Sequence, residues 1–371
     1  MRPVKIRIFY RMFQLLIAFI LFTTALGGTA CPSRGKMYPC TCINIQASKT
    51  RMYTLVNCHH LHNSDSLNAI LPALRSMEID QFHLFDSFWQ AHELGDAEKK
   101  GVMPMNWLTF LKIKEIEIYD TALSSSFACQ EKTICKNYMT KRFSVRNSSV
   151  SDKIHTLCET GKGNSYSWIS CMSELEEFHY SHGRLTSIGA DMFPIEMRKL
   201  VHLNLTRNQI SSVRQGAFSK LKRLTTLDLS HNQIEYLNFF TTEMELKFLD
   251  LSWNRIKEID STQLTFLTKL EKIAFESNAL TKLDENSWKK CPASLKYVDL
   301  RENLLHCGCN MRWINNVFPA KTVIKGRCST PKNYEKTSIR QTSQLLKKSC
   351  DENGNIITKK RTSYTSPISL I

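Results

Sequence analysis

Three aspartates that share one position in a repeated sequence are the first candidates for chemistry. They are Asp228, Asp250 and Asp299. Carboxylates that lie side by side on one face can act as a general acid and a general base. Ala274 interrupts the row, however, and such strand positions carry polar residues simply because they face solvent. We therefore interpret the aspartates as structural.

No other pattern is typical of an enzyme. The sequence contains no Gly-x-Ser-x-Gly nucleophile motif, no His-Glu-x-x-His zinc motif and no glycine-rich loop for a phosphate or dinucleotide. The run His59-His60-Leu61-His62 lacks the i, i+4 spacing that places two metal ligands on one helix face. The sequence therefore predicts no catalytic residue, no cofactor and no metal.

Thirteen cysteines indicate an oxidising compartment, where Cys-x-Cys pairs form disulfides rather than zinc sites. Eight of them form two groups of four near the ends of the chain. Four cysteines allow three pairings, so the sequence alone leaves the connectivity open. The groups are Cys31, Cys40, Cys42 and Cys58, and Cys307, Cys309, Cys328 and Cys350.

Five cysteines lie between these groups. Cys291 follows Trp288 by three residues, as Leu221 follows Phe218, so we expect a buried free thiol in a leucine position. The alternative is a disulfide between two chains. We expect the other four to pair among themselves. They are Cys129, Cys135, Cys158 and Cys171.

The pattern LxxLxLxxNxL recurs five times, and a degenerate copy from Leu175 has Gly183 at the asparagine position. The leucines of each short strand point into a core, and the asparagine satisfies backbone groups in the turns. Because one repeat cannot bury its apolar face alone, the repeats must stack. The asparagines are Asn208, Asn232, Asn254, Asn278 and Asn303. The pattern predicts a leucine-rich-repeat solenoid, a curved horseshoe with a parallel β-sheet on its concave face and an irregular or short helical convex side.

Upstream the pattern is weaker. The segment from Leu74 fits if Phe82 replaces the asparagine, and the segment from Ile113 fits with Thr121 there. Residues 124–170 do not fit, and we expect them to form a cysteine-bearing insertion.

The concave face is where we expect a partner to bind. Phe248 and Trp253 fall on one repeat strand, exposed, with Tyr297 two repeats away. Arg207 and His231 occupy the row to which Trp253 belongs, and Arg301 or Glu302 ends that row. Aromatic and arginine side chains on a rigid surface are typical of binding hot spots.

Two Asn-x-Ser/Thr sequons predict glycosylation at Asn147 and Asn204. Asn147 falls in the expected insertion, which makes it a credible site. Asn204 falls on a repeat strand that faces the concavity, where a glycan would obstruct the sheet.

The first 30 residues have the pattern of a secretory signal peptide. Four basic residues precede an apolar run, and Gly28-Thr29-Ala30 supplies small residues before a cleavage point. The apolar run is too short for a spanning helix, and no second long apolar stretch follows. We expect a secreted, extracellular protein without a membrane span.

The net charge is +16, of which +12 remains after the signal peptide is removed. This balance favours acidic partners such as a sulfated glycan or an acidic surface, although a solubilising surface charge explains it equally well. We expect no nucleic acid as partner, because none of the usual motifs is present.

With the repeats and both cysteine groups in view, the chain resembles secreted arthropod leucine-rich-repeat proteins, which are similar to the non-catalytic subunit of a shrimp luciferin monooxygenase. The resemblance rests on CPSRGKMYPCTC after the signal peptide, the repeats and the closing cysteines. It implies the cap disulfides Cys307–Cys328 and Cys309–Cys350, with Trp313 packed inside the cap. It also implies a stabilising or partner-holding subunit, and from it alone comes the hypothesis of an accessory subunit of a secreted oxidoreductase. The solenoid and its exposed aromatic residues favour a protein-binding module instead, and the basic charge favours a glycan-binding matrix protein.

These patterns divide the chain into six parts. They are a signal peptide (1–30), an N-terminal cysteine-rich cap (31–60), irregular repeats that contain the insertion (61–170), leucine-rich repeats (171–305), a C-terminal cysteine cap (306–350) and a flexible basic tail (351–371).

Overall fold

The structure, a computed structural model, describes residues 30–49, 51–88, 111–122, 137–148, 158–159, 165–166, 172–190, 192–193 and 197–351. The expected signal peptide and basic tail therefore lie outside the described residues, apart from their last and first residue. The described chain comprises two compact units, Met1–Asp228 and Leu229–Ile371.

The first unit contains an eight-stranded sheet in the order β1-β2-β3-β4-β5-β8-β10-β12. β1 is antiparallel to β2, and all the other neighbours are parallel. Two small sheets, β6–β7 and β9–β11, lie outside it. The elements are α1 (Arg34–Met37), β1 (Thr41–Ser48), β2 (Arg51–His59), α2 (Ser64–Arg75), β3 (Glu78–Phe85), β4 (Lys112–Tyr119), β5 (Arg142–Arg146), β6 (Cys158–Glu159), β7 (Ser165–Tyr166), β8 (Glu177–Ser181), β9 (Ser187–Ile188), β10 (His202–Asn204), β11 (Ser212–Val213) and β12 (Thr226–Asp228).

The second unit contains the parallel strands β14-β16-β17-β18 and the small pair β13–β15. Short helical segments connect the strands. The elements are β13 (Tyr236–Leu237), β14 (Phe248–Asp250), β15 (Glu258–Ile259), a 3-10 turn (Gln263–Phe266), β16 (Lys272–Ala274), α3 (Glu285–Trp288), β17 (Tyr297–Asp299), a 3-10 turn (Cys309–Met311), α4 (Ile314–Val317), β18 (Val323–Lys325), a 3-10 turn (Lys332–Tyr334) and α5 (Ile339–Ser349). The predicted leucine-rich-repeat solenoid with a parallel sheet is confirmed.

The core follows from the alternation of side chains along each strand. Inward residues in register, such as Phe143, Phe178 and Leu203, are 0–1% exposed. Behind the strands lies a second apolar row, in which Phe193 stacks on Phe218 in the first unit at 5.8 Å between ring centroids. The outward residues of the same strands stay half-exposed, so one face of the sheet is open to solvent.

The asparagines join neighbouring turns, as the repeat pattern predicts. Asn254 Oδ1 accepts a hydrogen bond from the Ile234 amide at 3.0 Å, and its Nδ2 donates to the carbonyls of Leu229 and Leu251 at 2.9 and 3.0 Å. Asn278 and Asn303 repeat this arrangement. Each of these amides thus satisfies turn backbone groups that have no strand partner.

Hydroxyl groups take the place of asparagine in the irregular repeats. Ser87 Oγ accepts from the Leu61 amide at 3.1 Å, and Ser148 Oγ accepts from the Thr121 amide at 3.2 Å. Thr121 itself lies at the predicted position. The prediction that Phe82 takes the asparagine position is wrong, because Phe82 is a fully buried residue of β3. Ser87 takes that position instead and accepts the hydrogen bond from the turn.

Part of the expected insertion belongs to the solenoid. β5 lies between β4 and β8 in the parallel sheet, with Phe143 and Val145 buried. The prediction of a single looped-out segment over residues 124–170 is therefore wrong for this strand. The expected pairing of its cysteines lies outside the described residues for Cys129, Cys135 and Cys171, and of Cys158 only the strand position is described.

The disulfides close both caps. The pairs are Cys31–Cys42 and Cys40–Cys58 in the first unit, and Cys307–Cys328 and Cys309–Cys350 in the second. The second two confirm the pairing that the resemblance implied, and Trp313 is buried beside Phe318 in that cap.

Cys291 forms no disulfide in this structure. Its amide donates to the Trp288 carbonyl just as the Leu221 amide donates to that of Phe218, which confirms the predicted leucine position. The side chain is half-buried rather than fully buried, and burial raises the pKa of the thiol. A protonated thiol is a poor nucleophile, as expected of a structural cysteine.

The asparagine contacts predict a large, position-specific loss of stability. Asn254→Ala should lower the free energy of unfolding by about 2–4 kcal/mol, because it leaves the Ile234 amide and the Leu229 carbonyl without their partner. Denaturant unfolding of both proteins measures the difference.

The matched control is Asn238→Ala, which removes an exposed asparagine from the same unit. An equal, small effect of both substitutions would contradict the role that we assign to Asn254.

Candidate partner-binding surface

The outward face of the second unit carries a row of three neighbouring strand residues. Phe248, Lys272 and Tyr297 are in register on β14, β16 and β17. Phe248 is 43% exposed, and Lys272 Nζ lies 5.3 Å from the centre of the Tyr297 ring. A cation at this distance from an aromatic ring is attracted by its negative face, which holds both side chains in place.

A second row lies in the turns that follow the strands. His231, Trp253, Ser277 and Glu302 all have φ between 53° and 57°. The prediction that Trp253 shares a strand with Phe248 is therefore wrong, since Trp253 lies beyond the end of β14. Glu302, not Arg301, ends the row.

Trp253 is unusual in this row. The left-handed backbone region favours asparagine, aspartate and histidine, and the first unit places His60, Asp86 and Asp120 there. A tryptophan in that region is strained by about 1–2 kcal/mol. The strain persists because the Trp253 amide donates to the Glu276 carbonyl at 2.7 Å and its own carbonyl accepts from the Asn232 amide.

The Trp253 ring is half in solvent and half supported. It is 52% exposed and stacks on His231 with 5.3 Å between ring centroids and 8° between the ring planes. We call Phe248, Lys272, Tyr297, Trp253 and His231 the aromatic face. The Trp253 and His231 rings support each other, and Lys272 supports the Tyr297 ring, so a partner's contact with these rings costs little side-chain entropy.

Three charged residues beside the aromatic face, Arg301, Asp299 and Glu276, are already paired. Arg301 donates to Asp299 Oδ1 and Oδ2 and to Glu276, and the Tyr297 hydroxyl donates to Asp299 at 3.1 Å. Burial by itself would raise the pKa of Asp299, but the hydrogen bonds from Arg301 hold it below its usual value. Asp299 is thus a structural anion, in agreement with the interpretation of the aspartate row.

Arg207 belongs to the first unit. It lies in the turn after β10, with φ 53° and an exposed side chain. The other four predicted contact residues, His231, Phe248, Trp253 and Tyr297, belong to the second unit and make up the aromatic face together with Lys272.

The first unit carries an aromatic column that was not predicted from the sequence. His59, Phe85 and Tyr119 are successive outward residues on β2, β3 and β4. Phe85 stacks on Tyr119 at 4.9 Å and on His59 at 5.2 Å. Asp86 and Asp120 directly follow Phe85 and Tyr119, and aspartate is favoured in left-handed turns. These two aspartates could have shown from the sequence that Phe85 and Tyr119 are aligned on neighbouring strands.

Two kinds of feature are absent from the described residues. No group of three or more histidine, cysteine, aspartate or glutamate side chains there could hold a metal ion. None of the helices in the described part of the chain has the length and apolar content needed to cross a membrane.

Comparison with known proteins identifies the repeats. Residues 173–234 match the family model described as Leucine rich repeat. Over 129 residues, which are 34% of this chain and 83% of the relative, the sequence is 30% identical to fibromodulin of Sus scrofa. The chain belongs to the leucine-rich-repeat protein family.

Two other matches cover larger shares of this chain at lower identity. Nephrocan of Mus musculus is 26% identical over 177 residues, which are 47% of this chain but only 34% of nephrocan. A chain of the octameric complex of Latrophilin 3, Unc5D and FLRT2 shares the fold, with a TM-score of 0.53, 16% identity and coverage of 72% of this chain and 82% of that one. These matches support a similarity to small extracellular leucine-rich-repeat proteins such as fibromodulin and nephrocan, and none of them supports the expected similarity to a luciferin monooxygenase subunit.

The Asp299–Arg301 pair predicts a pH-dependent contribution to stability. Because the pKa of Asp299 is lowered in the folded state, its contribution is fully present above the unfolded value of about 3.9 and is lost as the pH falls through the folded value. Asp299→Asn should therefore destabilise the protein at pH 7, and the difference from the wild type should shrink towards pH 2.

Denaturant unfolding at a series of pH values measures this. Glu243→Gln, which removes an exposed carboxylate, is the control and should show little difference at any pH. A destabilisation by Asp299→Asn that is the same at pH 7 and pH 2 would show that the carboxylate charge is not responsible.

Proposed function

We propose that this protein is secreted, is not an enzyme and binds an extracellular protein partner through the aromatic face. One observation carries the proposal. Trp253 is strained in a left-handed turn, stacked on His231 and 52% exposed, although the same backbone position elsewhere holds smaller polar residues. Strain of this kind persists where the surrounding structure imposes it, and it concentrates at functional sites.

The neighbouring side chains support the same interpretation. Phe248 adds a second exposed ring, and Lys272 and Tyr297 form a charged rim beside it. Large rings on a rigid frame, bordered by polar groups, are the composition of protein-binding hot spots. The proposal for a secreted location rests on the signal-peptide pattern and the four cap disulfides.

The aromatic face predicts a specific loss of binding. Trp253→Ala should weaken the binding of the captured partner by at least about 2 kcal/mol, roughly 30-fold in Kd. Phe248→Ala, tested as a separate variant, should also weaken the binding. The measurement is affinity capture from native extracellular fluid with residues 31–371, followed by titration of the recovered partner.

Tyr236→Ala is the matched control. Tyr236 is 49% exposed in the same unit but lies on β13, outside the strand row of the aromatic face. Equal binding by all three variants, each with an unchanged melting temperature, would contradict the proposal. A partner that proves to be an oxidoreductase would favour the accessory-subunit alternative.

A basic cleft in the C-terminal cap favours a second candidate function, the binding of sulfated glycans. Lys325, Arg327 and Lys336 line a cavity of about 820 Å³. None of the three forms an ion pair with a described residue. Glu302 and Glu335 also line the cavity and oppose an anion there.

These opposed charges make the second candidate testable on a heparin column. Replacement of all three cations by glutamine should lower the salt concentration of elution, and Glu302→Gln should raise it, because binding to a polyanion depends on the charges that meet it. Lys269, Lys289 and Lys290, which are exposed in the same unit, are replaced together as the control. An equal shift for both triple variants would show that net charge alone is responsible.

A further inference from the structure

A cavity of about 930 Å³ opens on the outward face of the first unit. It lies over strands β4, β5, β8 and β10 and over the turns that follow them. Planar polar side chains dominate its lining, and Tyr119, the last ring of the aromatic column, lies among them. Lining residues that matter for its chemistry are Glu117, Tyr119, Asp120, Arg142, Arg146 and His182.

The charges of this lining cancel. The lining contains two arginines, Arg142 and Arg146, and two carboxylates, Glu117 and Asp120, and its remaining polar groups are amides, hydroxyls and imidazoles. Two buried nitrogens of the lining, His83 Nε2 and Arg142 Nε, have no hydrogen-bond partner among the described residues. The nearest carboxylate oxygens are Glu117 Oε2, 3.7 Å from His83 Nε2, and Glu177 Oε2, 3.5 Å from Arg142 Nε. Both contacts are ion pairs without hydrogen-bond geometry. A cavity with many donors and acceptors, balanced charge and one aromatic surface suits a neutral, hydroxyl-rich molecule such as a saccharide.

Both sequons of the chain reach this cavity. The 371 residues contain two Asn-x-Ser/Thr sequences, 57 residues apart, and the asparagines of both line it. The structure moves Asn147 out of the expected insertion and places it in the turn after β5, exposed and with φ 47°. Asn204 is the outward residue at the end of β10.

The two side chains are already oriented. Asn147 Nδ2 donates to Asp120 Oδ1, a bond that needs one of its two N–H groups and leaves the other for substitution. Asn204 Oδ1 accepts from the Thr206 amide at 3.0 Å, which fixes the amide group, and its Nδ2 donates to none of the described residues.

We propose that Asn147 and Asn204 carry N-linked glycans whose first sugars occupy this cavity, so that the protein's own saccharide covers the outward face of the first unit. Each amide nitrogen forms a bond to C1 of the first sugar of a lipid-diphosphate-linked oligosaccharide. The bond from C1 to the diphosphate oxygen breaks, the amide releases one proton, and the lipid diphosphate leaves.

Each glycan then has a different support. The remaining N–H of Asn147 keeps its bond to Asp120, which directs the sugar along the turns towards Tyr119 and His182. The sugar on Asn204 lies between the neighbouring strand residues His179 and Asp228, which are its partners in register on β8 and β12. A protein partner is thereby excluded from this part of the outward face, including Tyr119 at the end of the aromatic column.

The test uses the full chain secreted from animal cells and two variants of it, each with two substitutions. Ser149→Ala with Thr206→Ala removes both sequons but keeps both asparagines, and Ser149→Thr with Thr206→Ser keeps the sequons. Glycopeptide mass spectrometry measures the occupancy of Asn147 and Asn204. Carbethoxylation by diethyl pyrocarbonate then measures the accessibility of His182, with the exposed His62 and His306 as internal controls.

We expect both asparagines to be occupied in the wild type and in the conservative variant, and the modification of His182 to be several-fold slower there than in the sequon-free variant. The rates at His62 and His306 should not differ. An unoccupied asparagine at either position would overturn the proposal. So would full occupancy with equal rates at His182, because the sugars would then extend into solvent and leave the cavity open.

Discussion

The structure depends on how each turn satisfies its buried backbone groups. Parallel strands pair with one another, but the turn after each strand exposes amides and carbonyls to a core without water. One side chain per repeat solves this, as Asn254 shows by accepting from Ile234 and donating to three carbonyls. In the degenerate copy, Gly183 stands at the asparagine position, and the Tyr180 ring occupies the space of the missing side chain. A Cβ atom on residue 183 would lie 2.5 Å from that ring.

The same contacts force the preceding residue into the left-handed region, and its side chain leaves the core. The core then places no packing constraint on that side chain, and only the left-handed backbone restricts its type, with the strain already described for Trp253. This freedom explains why the position holds His60, Asp120 and Asn147 in one unit and His231 and Trp253 in the other. The scaffold supplies a rigid, outward-directed position in every repeat, and the sequence decides what chemistry each position presents.

The sequence predicts those parts of the fold in which one residue type does one job. Regular repeats are visible because leucine and asparagine recur, and the C-terminal disulfides followed from a resemblance in cysteine spacing. β5 was not predicted because Phe143 replaces leucine and Ser148 replaces asparagine. The serine hydroxyl makes the same kind of hydrogen bonds, but a serine does not match the repeat pattern. The exposure of Phe248 and Trp253 was predictable from the repeat, but the stacking on His231 was not, since it depends on the left-handed turns.

The two outward faces carry different chemistry on the same kind of strand. In the second unit the exposed groups are rings beside paired charges, so their apolar surface is the largest feature that a partner can bury. In the first unit the rings are stacked on one another, and the cavity beside them is lined by amides, hydroxyls and balanced charges. A protein partner gains more free energy from the exposed rings of the second unit. A saccharide gains more from the polar cavity of the first unit. The difference arises from side chains alone, because the backbone that presents them repeats almost unchanged.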